Sequence, residues 1–306
     1  MSSRRSITIA QLESFEAAAE FGSMAEAAQR LHTTPSNVSV AVSKLERALG
    51  VELLVRHRAR GVTLTPAGRE ALAQVRHILA SGRELEEWCS AERGELVGKV
   101  RLGCFVSLTA FYVPDFLAQM RQQAPQVTVE VHEATTDVLH QLLADGELDL
   151  ALTYVQEVPA GVAFHAMTTV RPHVIVAATC DLAQRESVRL ADLASGTMVT
   201  FNTPFAVRRS RQLFTSSGLE PPPQVLASTI ETTRALVAAG LGFAILNQRW
   251  ASGIAADGNR VVTVELADDV TPLRLGTLTR HARPSAKIRL ANDILAAHAR
   301  ERHLGP

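Results

Sequence analysis

Cysteine is scarce in this 306-residue chain: three copies stand at positions 89, 104 and 180, odd in number and far apart. That excludes a disulfide framework and predicts reduced thiols in a cytoplasmic protein. The opening stretch MSSRRSITIAQLESF lacks the apolar core of a secretion signal. No apolar run is long enough to span a bilayer, so no membrane partner is expected. Enzyme signatures are missing too. No GxSxG, P-loop or glycine-rich dinucleotide motif occurs, which predicts a protein that is not an enzyme and needs no cofactor. Ten histidines are scattered without a pair at metal-ligand spacing beside Cys or Asp, so no metal site is expected.

Net charge is absent as well, with 31 Lys and Arg against 31 Asp and Glu. This excludes a polybasic coat but not a local basic surface, because distribution matters more than the total. Residues 1–65 hold eight basic residues (4, 5, 30, 44, 47, 56, 58, 60) against six Glu (13, 16, 20, 26, 46, 52). Arg56, His57, Arg58 and Arg60 form a run with no acid among them. A hydrophobic content of 46% with 20% charged residues is ordinary globular material, and the length suits two or three domains.

What is present starts with helix punctuation. Thr8 followed by Gln11 fits a capping box, with Ile7 and Leu12 as the hydrophobic staple around it. Leu12, Phe15, Ala18 and Ala19 then recur at helical spacing until Gly22. Ser23 with Glu26 repeats the box and opens a second helix, whose packing face is Ala27, Ala28 and Leu31. His32, Thr33 and Thr34 form a turn; Thr34 caps a third helix, Pro35 suits its first position and Gly50 ends it. Val38, Val42, Leu45 and Leu49 are expected to face inward. Thr33, Thr34, Pro35, Ser36, Asn37, Ser39, Val40, Ser43 and Lys44 are left for the turn, the outward side and its flanks. Short hydroxyl and amide groups there can bond base edges or phosphates without holding a helix off the DNA. Taken singly, Ser36 or Asn37 reads as a helix cap. The helix and turn before them and the basic hairpin after them make a groove reader.

Residues 51–64 read as two short strands around RARG, a wing whose Arg56, Arg58 and Arg60 would lie along phosphates or enter a minor groove. Thr65 and Pro66 start another helix by cap and first-turn proline. Along it Ala71, Val75, Ile78, Gly82, Leu85 and Cys89 recur at alternating steps of four and three, a coiled-coil seam that predicts dimerisation through Val75, Ile78 and Leu85.

These segments resemble the LysR-type transcriptional regulators. The resemblance rests on QLESFEAAAEFGSMAEAAQRLH, LERALGVELLVR and LTPAG, and it continues through GKVRLGCF near 100, LLADGELDLALTY at 142–154 and LVAAGLGFAIL at 236–246. The motifs occur in the family's order and spacing over nearly the whole chain. Two departures stand out: Pro35-Ser36-Asn37 replaces a frequent Gln-Pro-Ala triplet, and Val40-Ala41 replaces a frequent Arg-Gln pair. Operator preference therefore does not carry over from relatives.

Beyond residue 97 the pattern becomes strand-helix-strand: strands at 97–106, 127–131 and 148–152, helices at 111–123 and 135–145 closed by Gly146. A second set follows, with strands at 173–178, 198–201 and 224–226 and a helix near 206–217. Ser228 with Glu231 fits a further capping box, Gly240 closes that helix, 242–246 is strand-like and an amphipathic helix covers about 287–303. The fold class expected is α/β: an N-terminal winged helix-turn-helix (1–65), a long dimerisation linker helix (66–92) and a two-lobed effector domain (93–306). The resemblance implies that this last domain is periplasmic-binding-protein-like, with lobe I at about 97–168 and 274–306 and lobe II at about 172–270. It also implies that Ser107, Thr135, Thr136, Phe201, Asn202 and Thr203 border an effector cleft. A helix start with free N–H groups suits a carboxylate or another acceptor-rich ligand. The competing reading of Ser and Thr at helix starts is capping alone. Arg208, Arg209 and Arg211 sit three or more residues past the loop and read as a solvated or interface face, and Cys104 and Cys180 as structural thiols.

The resulting expectation is a sequence-specific regulator, a homodimer or by family habit a homotetramer. It would bind double-stranded promoter DNA at an interrupted inverted repeat, with a small-molecule effector such as an organic acid and RNA polymerase as further partners. A transport solute-binding protein would need a secretion signal and leaves residues 8–89 unexplained. An enzyme with a DNA-binding appendage would need a catalytic constellation, and a constitutive architectural protein would lack ligand-induced change.

Overall fold

The computed structural model describes residues 6–57, 61–92, 96–280 and 282–303. Three helices come first, α1 (Ile9–Phe21), α2 (Met24–Arg30) and α3 (Pro35–Leu49). Strands β1 (Leu54–His57) and β2 (Gly61–Leu64) pair antiparallel, and α4 (Pro66–Glu92) follows. The local chemistry explains the boundaries. Thr8 and Gln11 exchange both bonds of the capping box on α1. On α2 only half of the expected box forms: Ser23 Oγ accepts from the Glu26 N–H at 3.4 Å. Thr34 caps α3 through the Asn37 N–H, Pro35 occupies its first turn, and Gly50 ends it in the left-handed conformation. Phe15, Ala18, Ala27, Val38, Val42 and Leu45 close the core beneath.

Three sequence expectations shift here. Leu49, the last residue of α3, is 40% exposed rather than turned inward. Ile7 remains 44% exposed rather than stapled down. Val75 does not face outward: with Leu72 and Leu79 it is buried in the core of the helix-turn-helix domain. The early part of α4 therefore packs on its own domain, and the exposed remainder of the seam is Ile78, Leu85 and Cys89.

The LTPAG motif locks the wing to α4. Thr65 Oγ1 accepts from the Gly68 N–H and donates to the Glu52 carbonyl, each at 2.8 Å. A Cβ on Gly68 would lie 2.0 Å from the Leu53 carbonyl oxygen, so only glycine permits this approach.

The remaining chain forms two α/β lobes. The first run is β3 (Gly98–Phe105), α5 (Thr109–Gln123), β4 (Val127–Ala134), α6 (Thr136–Ala144), β5 (Leu150–Val155) and β6 (Ala163–Val170). The chain then crosses to β7 (His173–Ala177), β8 (Ser187–Val188), α7 (Leu190–Leu193), β9 (Met198–Phe201), α8 (Pro204–Ser216), β10 (Gln224–Ala227), α9 (Ile230–Ala238), β11 (Ala244–Leu246) and β12 (Val261–Leu266). It returns as β13 (Leu273–Thr279) and ends in α10 (Ala286–His303). One five-stranded sheet has the order β4-β3-β5-β13-β6, parallel in its first half and antiparallel around β13. The other lobe holds the four-stranded sheet β11-β7-β12-β8 and the parallel pair β10-β9. Two segments thus link the lobes, between Val170 and His173 and between Leu266 and Leu273. The cap of α9 is Thr229, accepting from the Thr232 N–H at 3.0 Å, and not the neighbouring Ser228. Gly242, with φ +148, lets its strand pass the Thr197 carbonyl, from which a Cβ would lie 2.2 Å.

Candidate DNA interface and effector cleft

The start of α3 presents an exposed polar cluster. Thr34 Oγ1 lies 3.0 Å from Ser36 Oγ, and the Asn37 side-chain amide donates to Thr33 Oγ1 at 3.1 Å. These groups surround a helix N-terminus, whose free N–H groups and dipole favour a phosphate oxygen. Ser36, Val40 and Lys44 follow one another at steps of four and share a face. Val40 is 52% exposed, while Val38 and Val42 of the same helix are fully buried. From β1, Arg56 reaches across to the helix: its Nη1 donates to Ser39 Oγ at 2.8 Å and its Nη2 to Ser43 Oγ at 3.0 Å. The guanidinium ties the wing to the recognition helix while remaining exposed. Arg58 and Arg60 lie outside the described residues. The turn ahead of α3 places His32 at φ +51, a left-handed backbone uncommon for residues other than glycine. On α4, Ile78 is 49% and Leu85 62% exposed, an apolar stripe left open on the linker helix.

Arg76 of α4 joins the domains. It pairs with Glu16 of α1 at 3.6 Å and with Glu147 beyond α6. Burial raises the Glu16 carboxyl above its ordinary value, opposed by Arg83, Arg76 and Arg101.

Between the lobes lies an aromatic-floored cavity. Phe105 of β3, Tyr154 of β5 and Phe205 of α8 form its floor, the Phe105 ring edge-on to the other two with centroids 5.9 and 6.0 Å apart. Tyr154 and Phe205 run nearly parallel at 6.2 Å. Gln248 donates through Nε2 to the Tyr154 hydroxyl at 2.9 Å. Burial pushes the Tyr154 phenol far up and that of Tyr112 to about 12, so both hydroxyls stay protonated. Two lining side chains are left unsatisfied: Gln248 Oε1 and Thr200 Oγ1 are buried without a partner. Arg209 reaches the cavity from α8 and donates to the Thr271 carbonyl on the returning crossing segment. Burial lowers its pKa, and among the described residues no carboxylate faces it.

Of the residues expected at the cleft, Ser107 and Phe201 line the cavity. The other four do not. Thr136 is buried with its hydroxyl 3.2 Å from that of Thr153, inside lobe I. Thr135 stands at the N-cap of α6 without a side-chain bond. Thr203 is 3% exposed and caps α8 through the Ala206 N–H. Asn202 is exposed, its N–H given to the Ala227 carbonyl. Sequence reasoning set Arg209 aside as part of a solvated or interface face and did not single out Tyr154 or Gln248. For Arg209 a signal existed: Phe205, Arg209 and Leu213 recur at steps of four, so the arginine shares the inward face of α8. Tyr154 and Gln248 come from distant segments joined only by the fold.

A winged helix-turn-helix joined to a two-lobed α/β domain defines a class of ligand-linked DNA-binding regulators. Family models agree: residues 9–69 match the bacterial regulatory helix-turn-helix protein, lysR family, and residues 93–300 match the LysR substrate binding domain. OxyR of Escherichia coli, a DNA-binding transcriptional dual regulator, is 30% identical over 247 residues, covering 78% of this chain and 79% of its own. The uncharacterized HTH-type regulator YvbU of Bacillus subtilis is 29% identical over 269 residues, 86% of this chain and 89% of its own. Among solved structures, HinK of Pseudomonas aeruginosa, a LysR family transcriptional regulator, superposes with a TM-score of 0.63 at 28% identity, covering 95% of this chain and 98% of its own. Full-length OxyR from the same organism gives 0.77 at 24% identity, a likeness of fold, over 96% and 98%. The chain belongs to the LysR family: it is a DNA-binding transcriptional regulator with an effector-binding domain. No described helix is long and apolar enough to cross a membrane.

Proposed function

We propose that this regulator acts in the cytoplasm as a homodimer or homotetramer on promoter DNA, at an interrupted inverted repeat, and that a small organic acid in the inter-lobe cavity shifts that binding. The observation that carries the reading is the separation of two open sites on one chain. An exposed hydroxyl and amide cluster stands at the start of α3, and a buried, incompletely satisfied cavity lies between the lobes. Ser36 and Asn37 have the reach to bond base edges, Val40 suits a thymine methyl, and Lys44, Arg56, Arg58 and Arg60 suit phosphates. Ile78 and Leu85 are the apolar surface on which a second copy would pair, placing two readers on a two-fold repeat. Arg76, bridging Glu16 and Glu147, gives lobe I a direct ionic contact with the linker helix and the reader. A ligand that favours one lobe arrangement would thereby bias the reader spacing. RNA polymerase is a natural further partner at such promoters.

Another relative, a hydrogen peroxide-inducible genes activator of Escherichia coli that is 30% identical over 247 residues, invites a thiol-redox reading. Cys104 does not carry such a reading: it is fully buried and its thiol is pushed up to about 12 by burial, which withholds the reactive thiolate.

The test is fluorescence anisotropy on DNA from upstream of the protein's own gene, with a scrambled duplex as control. Tight, selective binding that a metabolite panel shifts supports the proposal. Equal affinity for both duplexes at moderate salt, repeated on genome-wide selected fragments, sinks it. Arg56→Ala should weaken binding about tenfold across sequences and reduce the salt slope by about one.

A further inference from the structure

The cavity's chemistry narrows the ligand class, an inference that rests on the effector reading above. Three features coincide there. The floor is aromatic, built by Phe105, Tyr154 and Phe205. Arg209 lines the edge of the cavity, its guanidinium resting on the Thr271 carbonyl in the adjoining groove, and among the described residues no carboxylate pairs with it. Gln248 and Thr200, each 3% exposed, keep one polar atom without a partner.

Each feature selects. A half-buried guanidinium without a counter-ion favours an anion, and its planar fork matches a carboxylate. The amide nitrogen of Gln248 is committed to Tyr154, so its Oε1 offers only acceptance, and a ligand must bring an N–H or O–H to it. Thr200 Oγ1 is neutral to sign, since a hydroxyl both donates and accepts. Ile230, Ile245, Leu246 and Trp250 add apolar wall for the body of such a ligand, beside the polar Ser107, Ser210 and Asn247.

We propose that the effector is a small monocarboxylic acid with an apolar or aromatic body and one hydrogen-bond donor, its carboxylate held by Arg209 and its donor by Gln248 Oε1. The same geometry assigns Arg209 a second task. Its present partner, Thr271, lies on a segment joining the lobes, so a carboxylate that draws the guanidinium away releases that crossing. Beside it the rim is closed by Gln156 and Gln212, 3.1 Å apart across the lobes, with Arg274 donating to the Gln156 carbonyl at 2.9 Å. Ligand charge would thus act on the rim and crossing directly.

The experiment uses the full chain and reads Trp250 fluorescence and melting temperature, with Trp88→Phe removing the second indole signal. The probes are hydroxybenzoates, hydroxyphenylacetates and branched 2-hydroxy acids, each beside its neutral amide and its deoxy analogue. At least one hydroxy acid should bind and its amide should not. Arg209→Gln should weaken that acid about a hundredfold, and Arg209→Lys less, which separates charge loss from misfolding. Gln248→Met should keep the acid but erase about tenfold of its advantage over the deoxy analogue. Binding of amides as tight as acids, undiminished binding in Arg209→Gln, or no response to any probe overturns the ligand class. Anisotropy on selected DNA is run on the same samples. Selective DNA binding with silent acids refutes this ligand class alone, whereas non-selective DNA binding refutes the regulator reading itself.

Discussion

On the recognition helix, Thr34, Ser36 and Asn37 are exposed and hydrogen-bonded among themselves and their neighbours, whereas in the cleft Thr200 and Gln248 are 3% exposed and each keeps one atom without a partner. The residue types are alike and their energetics are opposite. Exposed hydroxyls exchange one partner for another at little net cost, so a reader built from them can change partners as it meets DNA. A buried group without a partner carries its desolvation penalty until a ligand relieves it. The reader is therefore ordered in advance by local bonds, while the cleft is poised to gain order from what enters it.

The comparison breaks most sharply if the reader is damaged alone. Gly68→Ala drives a Cβ toward the Leu53 carbonyl and should destabilise the winged domain by about 3 kcal/mol. DNA binding should be lost while the Trp250 response to ligand survives. Calorimetric melting checks it: the domain transition should fall alone. A joint fall of every transition would show that the two regions share one cooperative unit.

Acid should unsettle the cleft side next. His173 opens β7 at the crossing, 1% exposed, its pKa held down to about 3 by burial and by nearby Arg249. The unfolded chain protonates near 6.5, so the fold refuses a proton that the unfolded state accepts. Stability is then complete above about pH 6.5 and is lost as pH falls toward 3, with a slope approaching about 1.4 kcal/mol per pH unit. His173→Gln should flatten the slope by about one proton between pH 6 and 4 in urea titrations; an unchanged slope removes His173 from the account.

How much of this was legible in the sequence divides along the same line. Reader and wing were legible because their signals are local: Thr8 with Gln11, Thr34 with Pro35 and Gly50, Thr65 with Pro66. Val75 was misread because a four-three repeat specifies a buried face and not whose core will bury it. Thr229 displaced Ser228 because two adjacent hydroxyls were both eligible caps. In the cleft, the family resemblance pointed to Ser107 and Phe201, which line the cavity, but Thr136 and Thr203 spend their hydroxyls within their own lobes. Tyr154 and Gln248 meet across 94 residues, and no local pattern announces such a pair. The strands β6 and β13 were likewise passed over, although β13 stands between β5 and β6 in the first sheet.

A subtler probe exchanges a cleft hydroxyl for a methyl. Thr200→Val removes an unpartnered buried group while keeping the shape, so the ligand-free protein should gain about 1 kcal/mol. The reader counterpart, Ser36→Ala, should leave stability within about 0.5 kcal/mol and alter preference among operator variants instead. Chemical denaturation of both variants checks the pair. A destabilised Thr200→Val would mean that its hydroxyl is already bonded and the cleft less open than its geometry implies.

The smallest effect is expected at the turn between α2 and α3. His32 holds φ +51, where a Cβ costs roughly 1 kcal/mol that glycine avoids. Glycine also loosens the unfolded chain, which returns part of that gain. His32→Gly should therefore stabilise the reader by about 0.5 kcal/mol, seen as a small rise in its denaturation midpoint. Its effect on DNA is the more informative reading. If the histidine only tolerates its backbone, operator preference stays fixed and affinity changes little. If preference shifts, the strained turn is aiming the imidazole at the duplex, and the reading surface extends one residue ahead of Thr33, beyond the exposed cluster that α3 itself presents.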